Sequence, residues 1–382
     1  MKHKIKPYWA VILVLTGVSL ILNLIAFSKG FCDWYTDHIY PLLADGIGRV
    51  TALLPFNLTD WLIIGAILAG VMMPVLLILL IFLRKKPKYR RFTAGYFKSA
   101  LMLAVCVLTM ETFNWLIPLR GSVLGQNAVQ KQEYSLEEMR TALNRITEEL
   151  NTAEYAVERG ENSRLIYPSR ADMEQRVFQA MQAFSAEYPR LAGYYPPVKP
   201  SVFSDVLEWM GIGGYTNPLT MELTKNKYLT RLYEPVLIAH ESAHHQGYYK
   251  ESEANFLSYM ALRNSSDPFL RYAALIELYF TVADPFYEAV QAECEAKGLD
   301  AADYLAEMEI VTPDDLMWED LNNSYAERDE AYQADSHPLE SFTETAEQIA
   351  EVGWDTQAAV LQEYNYEGDY VLVMEYLKAH TS

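Results

Sequence analysis

The sequence predicts a mainly α-helical fold, with three N-terminal transmembrane helices followed by an α+β domain that carries a small edge-strand sheet. Three observations predict it. The first 118 residues hold three long apolar runs, a His-Glu-x-x-His motif begins at residue 240, and a short stretch of strict apolar and polar alternation precedes that motif. Charge divides the chain at the same place: residues 1–118 carry 12 Lys/Arg and 5 Asp/Glu, the rest 19 and 45. A membrane domain over 1–118 and a second domain over 119–382 follow, and the acidity of the second argues against a nucleic-acid partner. Cys32, Cys106 and Cys294 are scattered and odd in number, so no disulfide framework or cysteine zinc site is readable.

The first span covers residues 8–27. It follows Lys2, Lys4 and Lys6 as a signal peptide would, but it is too long for a typical signal core and no small-residue cleavage site closes it. The second, 61–83, contains Pro74, which membrane helices tolerate. The third, 99–117, carries Glu111 and Asn114 toward one end. A carboxylate is costly in hydrocarbon; with Thr112, Asn114 and Trp115 beside it, Glu111 reads as a helix end at the outer headgroups or a face packed on protein. Residues 31–56 are apolar and aromatic yet dotted with Asp33, Asp37, His38 and Asp45, which predicts an amphipathic segment on the outer leaflet, with His38 interfacial. The N-terminal lysines and the run Arg84-Lys85-Lys86-Pro87-Lys88-Tyr89-Arg90-Arg91 contrast with residues 30–60, which hold only Arg49. By the positive-inside rule the N-terminus is cytoplasmic, and three crossings of the lipid bilayer place 119–382 outside the cell membrane.

In the second domain, Ser135-Leu136-Glu137-Glu138 is a capping-box pattern, and Leu136, Met139, Leu143, Ile146 and Leu150 recur at helical spacing. A further helix is expected over 170–188. Residues 193–200, with three prolines after a glycine, read as a loop. Glycines at 211, 213 and 214 then precede Leu219-Thr220-Met221-Glu222-Leu223-Thr224, whose alternation predicts a half-buried strand at a sheet edge.

The chemistry sits next. Proline at a first helical position, an apolar run and Gly247 as a stop predict one short helix over 235–246. On it, His240 and His244 lie four apart on one face, so both imidazoles can bind one zinc ion while Glu241 reaches a water on it as general base. Two histidines leave a catalytic zinc short of a third protein ligand. A second helix starting near Glu251 offers Glu251 and Glu253 on different faces; Glu253, opening Glu253-Ala254-Asn255-Phe256, is the expected ligand. His245, about a hundred degrees round the helix from His244, is expected behind the ligands or on the surface.

Beyond residue 256 the chain reads as helical and aromatic over 257–263, 267–279 and on to 295. Tyr272, ahead of Tyr279 and Tyr248, is the candidate to donate a hydrogen bond to a developing oxyanion. Helices are also expected over 316–332 and 340–351, with His337 exposed and no second catalytic constellation in the acidic tail.

The motif region resembles the gluzincin zinc metallopeptidases, which follow HExxH with a glutamate ligand on a later helix. The resemblance implies a zincin-like domain, Zn2+ as cofactor, a peptide or protein substrate, and His240, His244 and Glu253 as ligands with Glu241 as base. The gap from His244 to Glu253 is shorter than in many gluzincins. The whole layout resembles a family of uncharacterised bacterial membrane proteins (domain of unknown function 3810). That likeness rests on Tyr40-Pro41, Leu54-Pro55-Phe56-Asn57-Leu58-Thr59-Asp60, residues 214–219 and 240–247, and Glu253 to Phe256, and it too implies Glu253 over Glu251. The expectation is a membrane-anchored metalloprotease acting outside the cytoplasm. Its rival is a non-catalytic membrane sensor or scaffold with a structural zinc, closed by a fourth protein ligand. A protease working inside the bilayer is excluded, because the apolar run before His240 is only residues 236–239.

Overall fold

A computed structural model of the chain describes residues 6–124, 134–337 and 368–380. It is mainly helical, with one three-stranded sheet. Three helices are long and apolar enough to cross a membrane: α1 (Pro7–Ile25), α4 (Leu58–Leu83) and α5 (Pro87–Leu119). Both α1 and α4 pack on α5. The outward faces stay apolar, with Leu20, Leu68 and Ile81 exposed. The last of the three starts well before residue 99. Pro87 opens it, and Lys88, Arg90, Arg91 and Lys98 ride on its first turns, where long basic chains can reach headgroups from a helical backbone.

Between α1 and α4 lie α2 (Lys29–His38) and α3 (Tyr40–Thr51), the interfacial segment expected over 31–56. Their outer faces expose Trp34, Leu42 and Val50, and His38 is exposed against Trp34. Their inner faces bury Cys32, Tyr35, Tyr40 and Ala44 together with Ile117 of α5 and Met221 of the sheet domain. The three cysteines are unpaired.

The larger core belongs to the second domain. Helix α6 (Leu136–Ala153) opens with the capping box in place, Ser135 and Glu138 bonding each other's backbone N–H, and buries Met139, Leu143, Ile146 and Leu150. It lies along the 30-residue helix Pro268–Lys297. Helix α7 (Arg170–Phe184) follows. The sheet is built from β1 (Val198–Pro200), β2 (Gly214–Asn217) and β3 (Glu222–Lys225), in the order β1-β3-β2, with a short helix α8 (Ser204–Trp209) after β1. Two expectations are corrected here. Residues 198–200 are a strand, parallel to β3, although proline ends them. The alternating run supplies the central strand, and the edges are β1 and β2, the latter inside the glycine-rich stretch. The pairing of β1 is tertiary and leaves no local signal; Pro200, at the strand's end, costs little there.

The remaining helices are α9 (Glu234–His245), α10 (Glu251–Arg263), α11 (Pro268–Lys297), α12 (Ala301–Ala306), α13 (Asp315–Gln333) and α14 (Gly368–Ala379). Helix α10 is packed between α9, α11 and α14. The helix expected over 340–351 lies outside the described residues. His337 is not free in solvent, since its ring meets Asp205 and the Tyr332 carbonyl.

Candidate metal centre

Helix α9 starts with Pro235 in its first turn, where a missing N–H costs nothing. It stops at Gly247, whose φ of +88° is open to glycine and strained for other residues. Nearly all of it is buried, so only one aspect of the helix meets a cavity. That aspect carries His240, Glu241 and His244.

The two imidazoles stand nearly perpendicular, with ring centroids 4.6 Å apart. Glu251, the first residue of α10, brings Oε2 to 3.2 Å from His240 Nε2 and 3.6 Å from His244 Nε2. One donor atom from each of the three lies within 4.8 Å of the others. Around an ion with bonds of about 2 Å, tetrahedral donors sit roughly 3.3 Å apart, so these spacings fit zinc.

The other ring nitrogens decide which atoms are free. His240 Nδ1 lies 2.7 Å from Asn255 Oδ1, and the Asn255 amide is oriented by its Nδ2 donating to Asp369 Oδ2 at 3.1 Å. His244 Nδ1 lies 2.7 Å from the Tyr248 carbonyl. Both partners can only accept, so each Nδ1 carries a proton and each Nε2 is the nitrogen that faces the centre, able to offer a lone pair once any proton on it leaves. This is the donor arrangement a bound cation requires.

Electrostatics agree. Burial by itself disfavours a charged His244, but the Glu251 carboxylate more than offsets it and holds the imidazole up to about 9. Burial likewise opposes ionisation of Glu251, and the two imidazoles overcome it, keeping that carboxyl well below the usual range. The proton held between them stands where a cation would go, and metal binding would release it. Burial pushes Glu241 up, while the neighbouring imidazoles and Thr216 pull it down. Thr216 Oγ1 on β2 lies 2.9 Å from Glu241 Oε2 and 2.8 Å from its carbonyl.

The structure therefore brings His240, Glu241 and His244 together but not the other expected site residues. Glu253 is turned away: its Oε1 accepts from the Leu124 N–H at 2.7 Å, and burial raises it. Two residues on from Glu251, it lies about 200° round the helix and cannot face the same ion. Tyr272 is fully buried in α11 and donates to Asp320 Oδ2 at 2.8 Å, an oxygen that also pairs with Arg159. Neither Glu253 nor Tyr272 lines the cavity of about 610 Å³ around the motif. His245 is buried against Gly48 of α3 rather than exposed.

Sequence reasoning missed several residues. Glu111 and Trp115 of α5, Tyr233 before α9 and the edge strand β2 all line the cavity. Thr216 and Asp369 hold Glu241 and the Asn255 amide. Two had a signal: Asn255, in the stretch Glu253 to Phe256, and Glu111, whose carboxylate in an apolar run reads as a helix end at the headgroups or a face packed on protein. A family model described as a protein of unknown function (DUF3810) matches residues 35–304. No curated protein and no solved structure matches the chain.

Proposed function

The chain belongs to that family, and for it we propose a membrane-anchored zinc metalloprotease of gluzincin type that hydrolyses peptide bonds outside the cytoplasm. The observation that carries this reading is the convergence of His240 Nε2, His244 Nε2 and Glu251 Oε2, with both Nδ1 atoms already engaged, on the wall of an open cavity. These three side chains would hold Zn2+. Bound there, zinc supplies Lewis acidity, which lowers the pKa of water and polarises a carbonyl.

The chain's own residues supply the rest. Thr216 engages Glu241 Oε2, which leaves Oε1 to take a proton from water and return it to the leaving amine nitrogen. Tyr233 lines the cavity close enough to feel both Glu241 and Glu251, and its hydroxyl replaces that of Tyr272 as donor to the developing oxyanion. Among the described residues strand β2 pairs only with β3, and its residues Gly214 to Thr216 border the cavity. An extended peptide can add to that edge through backbone bonds, with little demand on its sequence. The basic run 84–91 supports the orientation, since such clusters stay cytoplasmic.

The rival, a sensor or scaffold with a structural zinc, needs a fourth protein ligand. His245 is buried against Gly48 and Glu253 accepts from Leu124, and the described residues bring three ligand groups together, His240, His244 and Glu251. Full-length protein carrying Glu241→Gln should keep its zinc and lose cleavage of peptide libraries. Wild-type cleavage by that variant would remove Glu241 as the base.

A further inference from the structure

Helix α5 does not end at the level of the bilayer. Its last turns are covered by protein: Ile117 is buried among Cys32, Tyr35 and Tyr40 of α2 and α3 and Met221 of the second domain, and Asn114 Nδ2 donates to the Pro218 carbonyl at 2.7 Å. A π-helical turn over Thr112–Leu116 lies between the apolar stretch and this buried end. Glu111 and Trp115, one turn apart, point into the metal cavity beside Tyr249 and β2. Trp115 is exposed, as are Trp61 at the start of α4 and Phe56 just before it. Aromatic residues at the ends of membrane helices mark the headgroup level. One wall of the cleft is thus a membrane-length helix, and its mouth lies at that level.

Glu111 adds a chemical preference. No described residue bonds its carboxylate, and Glu241 and Glu251 would by themselves balance a divalent cation held in the same cavity. A half-buried carboxylate is costly to keep unpaired, so a cationic group arriving with the substrate would complete it.

We propose that the cleft takes the juxtamembrane segment of a membrane-tethered polypeptide, laid along the β2 edge with a Lys or Arg side chain on Glu111. This rests on the peptidase reading above. The free strand edge favours a polypeptide over an amine lipid headgroup, which has no backbone to pair.

The test uses full-length Glu241→Gln protein in liposomes, with a photo-cross-linking residue in place of Trp115. The probes are single-span peptides carrying Lys either beside the last apolar residue or beyond a linker of ~30 residues, a coil reaching roughly 30 Å. Capture of the near-lysine probe should exceed that of the distant one about tenfold, and Glu111→Gln should lower it about tenfold, to the level of a Gln-bearing probe. Equal capture of near and distant probes, or capture abolished by phosphatidylethanolamine alone, overturns the proposal and leaves the peptidase reading standing. Glu111-dependent capture by a wild-type chain that cleaves nothing overturns the peptidase reading, and the substrate class with it.

Discussion

At the residue scale the centre turns on which glutamate faces the imidazoles. Glu251→Gln should weaken zinc binding by at least the 10- to 100-fold typical of a lost partner near a metal, whereas Glu253→Gln should leave it unchanged. Competition against a chromogenic chelator reads both; equal losses would mean the carboxylates share the role. The sequence offered both residues and placed them on different faces, but it could not say which face α10 turns toward α9. That depends on the turn through Gly247 and on Lys250, whose Nζ donates to the Gly121 carbonyl. Asn255 lies one helical turn beyond Glu251, and Asn255→Ala should also loosen the metal by freeing the His240 ring. A second carboxyl gives a pH signature. Burial pushes Glu277 on α11 up to about 7 from an ordinary 4.5. Between those values the folded chain holds a proton that the unfolded chain releases, so stability falls as pH rises through the window. Glu277→Gln removes the effect. Its melting temperature should match wild type near about pH 5 and exceed it near about pH 8; a constant difference would mean Glu277 does not titrate there.

At the element scale the C-terminal end of α9 is held by α2 and α3. Tyr40 Oη donates to the His245 carbonyl at 3.1 Å, one of the carbonyls a helix end leaves without an intrahelical partner, and its hydroxyl lies 3.1 Å from that of Tyr249. A Cβ on Gly247 would come within 2.9 Å of Thr36 and 3.1 Å of Tyr40, in addition to the strain of its positive φ. Gly247→Ala should therefore lower the melting temperature and zinc affinity together, though the added methyl group meets Thr36 and Tyr40 rather than any of the three ligand side chains. Differential scanning fluorimetry with and without chelator would show it, and an unchanged metal-dependent shift would argue that α9 is fixed without this contact. The glycine stop, the capping box and the membrane-length helices were legible because each rests on local chemistry or on hydropathy over a long window. The π-helical turn was not. Its position follows from Pro118, which has no N–H for the Asn114 carbonyl, and from the pull of Pro218, distant in sequence. Strand β1 was hidden for a related reason, since three residues gain their order only from β3.

For the whole molecule, the boundary at 118/119 separates segments that share buried bonds. The Glu222 carboxylate, buried at the centre of the sheet, accepts from the Leu58 and Thr59 N–H groups at 3.0 and 2.9 Å, and so terminates the first turn of α4 as an anion at a helix N-terminus. Lys199 on β1 balances the charge at 2.7 Å and also donates to the Thr51 and Phe56 carbonyls. Asp60 accepts from Ser201 Oγ and the Val202 N–H, and Asn57 donates to Thr224. The stretch Leu54 to Asp60, readable beforehand only as a shared motif, is the seat of the sheet. Strand β2 and the base-holding Thr216 are thus registered against the start of a membrane-length helix. Cutting the chain at 118 would leave Glu222 without the Leu58 and Thr59 N–H groups and Lys199 without the Thr51 and Phe56 carbonyls, and would expose Met221, which packs on Tyr40 and Ala44. Uncompensated buried polar groups cost about 1–3 kcal/mol each, and several would be created at once beside the site. Residues 119–382 produced alone should bind zinc far more weakly than the full chain and show faster amide exchange in β2 and β3. If the isolated piece binds zinc and melts as the intact protein does, the membrane segment is only a tether, and the substrate geometry assigned to Glu111 and Trp115 loses its frame.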